Sequence, residues 1–193
     1  MYGVIMTKTK VYVEEQNYLL AQMFTEEGFD IAQSPEEAHL ICMEGGADVD
    51  PFFYGEKNTH SYSNIFKDYE SLDLLNIALK QGTPVVGVCR GHQIMCVHQG
   101  GKMVQHIEGH TRGHMLTYEG TEYPVTSTHH QMAVPALSEA NIVRSDDGVC
   151  EIVLYPNKKW LGFQPHPEFT RKGSECRELF FLLLEKQCGV KKC

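Results

Sequence analysis

The stretch PVVGVCRGHQ, Pro84 to Gln93, sets the reading of this chain. Pro84 to Val88 is a short, β-branched apolar run, which predicts a buried strand. Cys89 closes it, and the residues that follow, from about His92 through Val97, predict a helix that Gly100-Gly101 stops. A cysteine between a strand end and a helix start lies near the positive end of the helix dipole, where a thiolate is favoured. Gly87 and Gly91 flank it and allow a tight strand-to-helix turn of the nucleophile-elbow kind. On local sequence alone, a buried structural cysteine fits equally well.

Outward from this point, helices alternate with strands. Met1 to Lys8 reads as a first strand, and Glu14 to Glu27 as a helix with Leu19, Leu20, Met23 and Phe24 on one face, ended by Gly28. Leu40 to Met43 is a buried strand running into Gly45-Gly46. Ala47 to Lys67 is a long polar loop with interspersed aromatics, of a length that tends to be functional. Asp68 is placed to cap a helix through about Gln81, which Gly82 ends. Short strands follow at 102–104, 115–117, 125–126, 141–143, 151–154 and 160–163, and Ser174 opens a last helix over Glu175–Gln187. This alternation predicts an α/β fold: a single three-layer α/β/α domain over residues 1–193 around a mostly parallel sheet. Ligands of such sheets bind at the carboxyl ends of the strands, where Gly45-Gly46 and Cys89 both fall.

The 193 residues suit one domain, with 42% hydrophobic and 22% charged side chains. A formal net charge of -8 argues against nucleic acid or an anionic membrane surface as partner. The N-terminus carries no basic region or cleavage site of a signal peptide, and no stretch has the length of a membrane span. Seven cysteines without a CxxC pair point to reduced thiols in a cytoplasmic setting.

Gln164-Pro165-His166-Pro167-Glu168 follows the 160–163 strand. Two prolines restrict the backbone around His166, and Glu168 can hold the imidazole in one tautomer while its other nitrogen faces a thiol. Attack of that thiol on an amide passes through an oxyanion that needs fixed N–H donors. The amides of the Gly45-Gly46 loop and of Arg90 are the candidates. His106, His110 and His114 are spaced by four as metal ligands on a helix would be, but Gly109 and Gly113 interrupt that helix, and no metal or cofactor is expected. Asp146-Asp147-Gly148 reads as a hairpin turn, Phe180 to Leu184 as core, and Asp48 and Asp50 as partners of their own loop amides.

Gly87 to Gln93 resembles the nucleophile motif of class I glutamine amidotransferases, and His166-Pro167-Glu168 resembles that family's His-Pro-Glu. Gly45 to Pro51 with Tyr54-Gly55-Glu56, Gly100-Gly101 and Thr128 to Gln131 are similar to the γ-glutamyl-γ-aminobutyrate hydrolase (peptidase C26) branch. The resemblance spans about residues 40 to 170. It implies the flavodoxin-like fold of that superfamily, with Cys89 as nucleophile, His166 as base then acid, and Glu168 as its orienting partner. Gly46 and Arg90 would supply oxyanion N–H groups, and Gln93, His129, His130 and Gln131 would bind substrate. The implied reaction is hydrolysis of the γ-amide of glutamine or a γ-glutamyl amine through a glutamyl thioester. The sequence departs from that branch in being shorter and in having Gln164-Pro165 before His166, where relatives often carry a Trp; both bear on the leaving-group pocket. An alternative is a glutaminase subunit delivering ammonia to a separate synthetase chain, and a third is a catalytically idle binding module.

Overall fold

Three strands, each buried along its whole length, form the middle of the sheet. The computed structural model describes residues 8–136 and 140–192. In chain order it contains β1 (Lys10–Val13), α1 (Tyr18–Glu26), β2 (Asp30–Ile31), β3 (Leu40–Met43), α2 (Ile65–Gln81), β4 (Val85–Val88) and α3 (Arg90–His98). Then follow β5 (Lys102–Val104), β6 (His114–Tyr118), β7 (Thr121–Val125), β8 (Met132–Val134), β9 (Asn141–Arg144), β10 (Cys150–Tyr155), β11 (Trp160–Phe163) and α4 (Glu175–Cys188). The main sheet has the order β2-β1-β3-β4-β11-β10-β9. It is parallel from β2 through β11, and β10 and β9 continue it antiparallel. β5 pairs with β8, and β6 with β7, in two small antiparallel ribbons.

β3, β4 and β11 can be apolar at every position because helices cover both faces. Leu40, Cys42, Val86, Val88, Leu161 and Phe163 face one layer, where Phe24 of α1 packs edge-on against Phe180 and Phe181 of α4. Ile41, Met43, Val85 and Trp160 face the other, against Leu75 and Ala78 of α2 and Ile94 and Met95 of α3. The expected three-layer α/β/α architecture with a mostly parallel sheet is the observed one, and Phe180 to Leu184 contributes to its core as expected.

Several boundaries differ from the sequence reading. The strand expected at Met1 to Lys8 lies, but for Lys8, outside the described residues; Lys8 is in no strand, and the first described strand is Lys10–Val13. The helix expected from Glu14 starts at Tyr18, because Glu15 and Gln16 hold φ of 49° and 54° and Asn17 caps the amides of Leu19 and Leu20. Asp68 does not cap α2. Asn64 does so a turn earlier, accepting from Phe66 and Lys67 N–H, while Asp68 is buried inside the helix's packed face. The loop before α2 contains a short turn at Pro51–Tyr54, capped by Asp50. Asp48 and Asp50 do accept loop amides, from Tyr62 at 2.8 Å and Phe52 at 2.9 Å. Ser145 to Val149 closes the β9–β10 hairpin at Gly148, as expected. No helix among the described residues is long and apolar enough to cross a membrane.

Candidate active site

Register places three segments side by side. Met43 of β3 pairs with Gly87 of β4, and Val88 of β4 pairs with Phe163 of β11, so these strands end together. Beyond their carboxyl ends stand the Gly45-Gly46 loop, Cys89 and the Gln164 to Glu168 segment. The Cys89 N–H donates to Phe163 O at 2.9 Å, carrying the ladder one residue past the strand.

Cys89 has φ 49° and ψ -104° and opens α3 as its N-cap residue. A non-glycine residue in this region costs about 1–3 kcal/mol, and such outliers cluster at functional sites. The strain falls on the cysteine itself, and the flanking glycines serve another purpose. A Cβ on Gly87 would stand 2.4 Å from the Gly91 carbonyl, and one on Gly91 would stand 2.5 Å from Met43 O. Their missing side chains let α3 lie directly against β4 and β3 and hold the elbow. The Cys89 side chain faces a cleft of about 240 Å³ lined by Gly46, Ala47, Asp48, Tyr62, Gln93, Thr128, His129 and His130.

His166 Nδ1 and Glu168 Oε1 are 2.6 Å apart, and both side chains are almost wholly buried. The His166 N–H donates to Thr126 Oγ1 at 2.9 Å and the Thr126 hydroxyl donates to His166 O at 2.7 Å, fixing its backbone from both sides. The Phe169 ring stacks on the imidazole at 4.5 Å between centroids. Burial opposes charge on this imidazole, but the neighbouring Cys89 and Glu168 outweigh burial and push its pKa up to about 10. The thiol and the carboxylate thus address the same ring.

The oxyanion candidates are neighbours. Gly46 lies beside Arg90 and Lys67, since a Cβ there would be 3.4 Å from both Arg90 Cδ and Lys67 Nζ. The Arg90 side chain turns into the protein, donating to Asp68 Oδ1 at 2.6 Å and Ser71 Oγ at 3.0 Å. Ser71 donates to Glu14 Oε1, whose other oxygen accepts the Glu44 N–H at 2.9 Å. Asp68 Oδ2 accepts the Asp50 N–H at 2.8 Å. Lys67 closes the network onto Glu44 and Glu15. Burial pushes the Glu14 and Asp68 carboxyls up, against the pull of these donors. Glu14, Asp68, Ser71, Lys67 and Thr126 were not among the sequence candidates. Each acts on a site segment through a partner distant in sequence, and no local motif marks such pairings.

Of the expected substrate-binding residues, Gln93, His129 and His130 border the cleft, and the Gln93 amide donates to Gln164 Oε1 at 3.2 Å. Gln131 does not border it: fully buried, it donates to Ser61 Oγ at 2.8 Å and Gln105 O at 3.3 Å, bracing the cleft loop from behind. Among the described residues six cysteines are free thiols.

A buried thiol at a strand-to-helix elbow, an imidazole–carboxylate pair just past the end of the adjacent strand and a glycine loop beside them define the class I glutamine amidotransferase-like superfamily. Residues 19–121 match the peptidase C26 family model, and the chain belongs to that family. It is 30% identical over 156 residues to the glutamine amidotransferase-like protein YvdE of Lactococcus lactis, covering 67% of this chain and 66% of that one. It is 28% identical over 120 residues to the carbamoyl phosphate synthase small chain of Buchnera aphidicola, covering 58% of this chain and 31% of the other. The chain therefore spans less than two thirds of the length of these relatives. A glutamine amidotransferase crystal structure from Thermotoga maritima shares the fold, with a TM-score of 0.64 at 18% identity over 84% of this chain and 77% of that one.

Proposed function

We propose that this protein hydrolyses the γ-amide of glutamine or of a γ-glutamyl amine by covalent catalysis at Cys89. The observation that carries the reading is the pairing of a strained, cleft-facing Cys89 with the buried His166–Glu168 couple just past the neighbouring strand. Membership of an amidotransferase-like family supports the same chemistry.

In this reading the thiol proton already rests on His166, as its raised pKa favours, and the sulfur attacks the γ-carbonyl carbon. The imidazolium is stabilised by the Glu168 carboxylate. The amide N–H groups of Gly46 and Arg90 receive the oxyanion. As the intermediate collapses, the C–N bond breaks, His166 returns its proton to the leaving nitrogen, and ammonia or an amine departs. Water, deprotonated by His166, then attacks the glutamyl thioester, releasing glutamate and restoring the thiol. Gln93, His129 and His130 border the glutamyl group, while Gln131 holds the wall behind it. The small cleft suits a small molecule, and the six free thiols support a reducing, cytoplasmic setting.

A second reading is favoured by one finding, the similarity to a carbamoyl phosphate synthase small chain. Here the same thioester chemistry would release ammonia to a synthetase on another chain. One experiment tests both. The pure protein is incubated with glutamine and a panel of γ-glutamyl amines, and ammonia, amine and glutamate release are followed. Turnover of γ-glutamyl amines by the isolated chain supports the hydrolase. Weak glutaminase activity that rises with a synthetase chain supports the second reading. No turnover in either arrangement contradicts both.

A further inference from the structure

Helical spacing cannot bring His106, His110 and His114 together, but the tertiary fold assembles a different set. The fold gathers His110 and His114 with two residues from other segments, His129 and Glu151, while His106 stacks on His60. Glu151 is fully buried in β10. One of its oxygens, Oε1, faces three imidazole nitrogens: His110 Nδ1 at 3.1 Å, His114 Nε2 at 3.3 Å and His129 Nε2 at 3.6 Å. Despite that proximity, none of these four atoms makes a hydrogen bond of acceptable direction.

The outer nitrogens of two of the rings are already engaged. His110 Nε2 lies 2.9 Å from Asp147 Oδ2, and His129 Nδ1 lies 2.9 Å from Gln131 O. These acceptors require the proton on the outer nitrogen. In neutral rings, the inner nitrogens then direct lone pairs at a buried carboxylate oxygen, an arrangement that repels itself in a medium of low dielectric. A single cation among the four groups turns each of those lone pairs into a ligand. His110, His114 and Glu151 offer donor atoms that all lie within 4.8 Å of one another, and His129 Nε2 approaches the set at Glu151 Oε1; tetrahedral zinc with bonds of about 2.0–2.1 Å places ligand atoms roughly 3.3 Å apart. The ring–carboxylate bond at His110 and the ring–carbonyl bond at His129 are the outer contacts that orient metal-binding imidazoles.

We propose that His110, His114, His129 and Glu151 form a structural divalent-metal site of the zinc class, separate from the cysteine nucleophile. Three imidazoles and one carboxylate, without thiolate, suit Zn²⁺ and its four-coordinate surrogate Co²⁺. The ion would tie the 110–114 segment and β10 to the His129-His130 turn that borders the cleft.

The test uses the full chain, stripped with a chelator and desalted, then titrated with Zn²⁺ and separately with Co²⁺. The expected result is one Zn²⁺ per chain, the strong visible absorption of four-coordinate cobalt, and a higher melting temperature on metal addition. His114→Asn should abolish the cobalt spectrum. Asp147→Asn, at an exposed position and with the turn-holding Oδ1 retained, should weaken affinity about 10- to 100-fold. Cys89→Ala should bind as the parent does, which separates this site from the thiol. A folded parent chain that takes up neither ion overturns the proposal. So does uptake that survives both His114→Asn and Asp147→Asn at parental affinity, or that disappears in Cys89→Ala.

Discussion

Gly45 packs so closely on His166 that a Cβ added to it would stand 2.9 Å from the imidazole Cε1. The same Cβ would stand 3.7 Å from that of Cys89, so Gly45 sits where thiol and ring meet. The absence of a side chain here leaves room for the imidazole beside Cys89 while Glu168 holds its Nδ1. Gly45→Ala should displace the ring, lowering kcat by roughly 10- to 100-fold with KM little changed, because sub-ångström misplacement of a reacting group is costly. Steady-state kinetics beside an unchanged circular dichroism spectrum would check this. Parental kcat would show that the ring has room to spare.

Backbone strain at Cys89 makes a prediction about stability alone. The φ of 49° is tolerated by glycine and disfavoured for any residue with a Cβ. Cys89→Gly should be inactive yet more stable than Cys89→Ala by about 1 kcal/mol, despite glycine's greater freedom in the unfolded chain. Urea denaturation of the two variants measures the difference, and an alanine variant that is the more stable would refute the strain.

The Arg90–Asp68 pair is buried on both sides, with side-chain exposures of 1% and 0%. Removing one partner of such a pair leaves a buried charge uncompensated, at about 3–5 kcal/mol. Arg90→Met should therefore destabilise the protein by that order, and Arg90→Met combined with Asp68→Leu should recover a large part of the loss. Denaturation midpoints for the single and double variants decide it. Equal losses in both would mean that the network, and not the lone carboxylate, sets the cost.

His166 has its pKa raised from 6.5 to about 10, so the folded state holds a proton that the unfolded chain releases earlier. The stabilisation is fully present below about pH 6.5 and is lost as pH rises through 10. Global stability followed between pH 6.5 and 10 should fall more steeply in the parent than in His166→Gln. Parallel curves would contradict the imidazolium's role.

The strand-and-helix reading recovered the central sheet because β3, β4 and β11 are continuous apolar runs with glycine or proline at their margins. Cys89 and the His166–Glu168 couple were legible for the same reason, since strand end, turn and a two-residue spacing are all local. Lys10–Val13 was missed because four residues with two half-exposed positions carry little pattern and are followed at once by charged Glu14-Glu15. Asp68 misled because an acidic residue before an apolar helical pattern looks like a cap, whereas its partner Arg90 is 22 residues away. Thr126 is 40 residues from the His166 backbone that it clamps. The His110 cluster escaped because its members are gathered by β10 and the His129 turn, not by one helix.

Central to the account is that Cys89 is the nucleophile for a glutamyl substrate. The most direct measurement treats the protein with an electrophilic glutamine analogue and maps the adduct by peptide mass spectrometry, with and without excess glutamine. The account predicts one adduct, on Cys89, whose formation glutamine slows and which His166→Gln suppresses. An adduct on another cysteine, or labelling of Cys89 at a rate indifferent to glutamine, would contradict it.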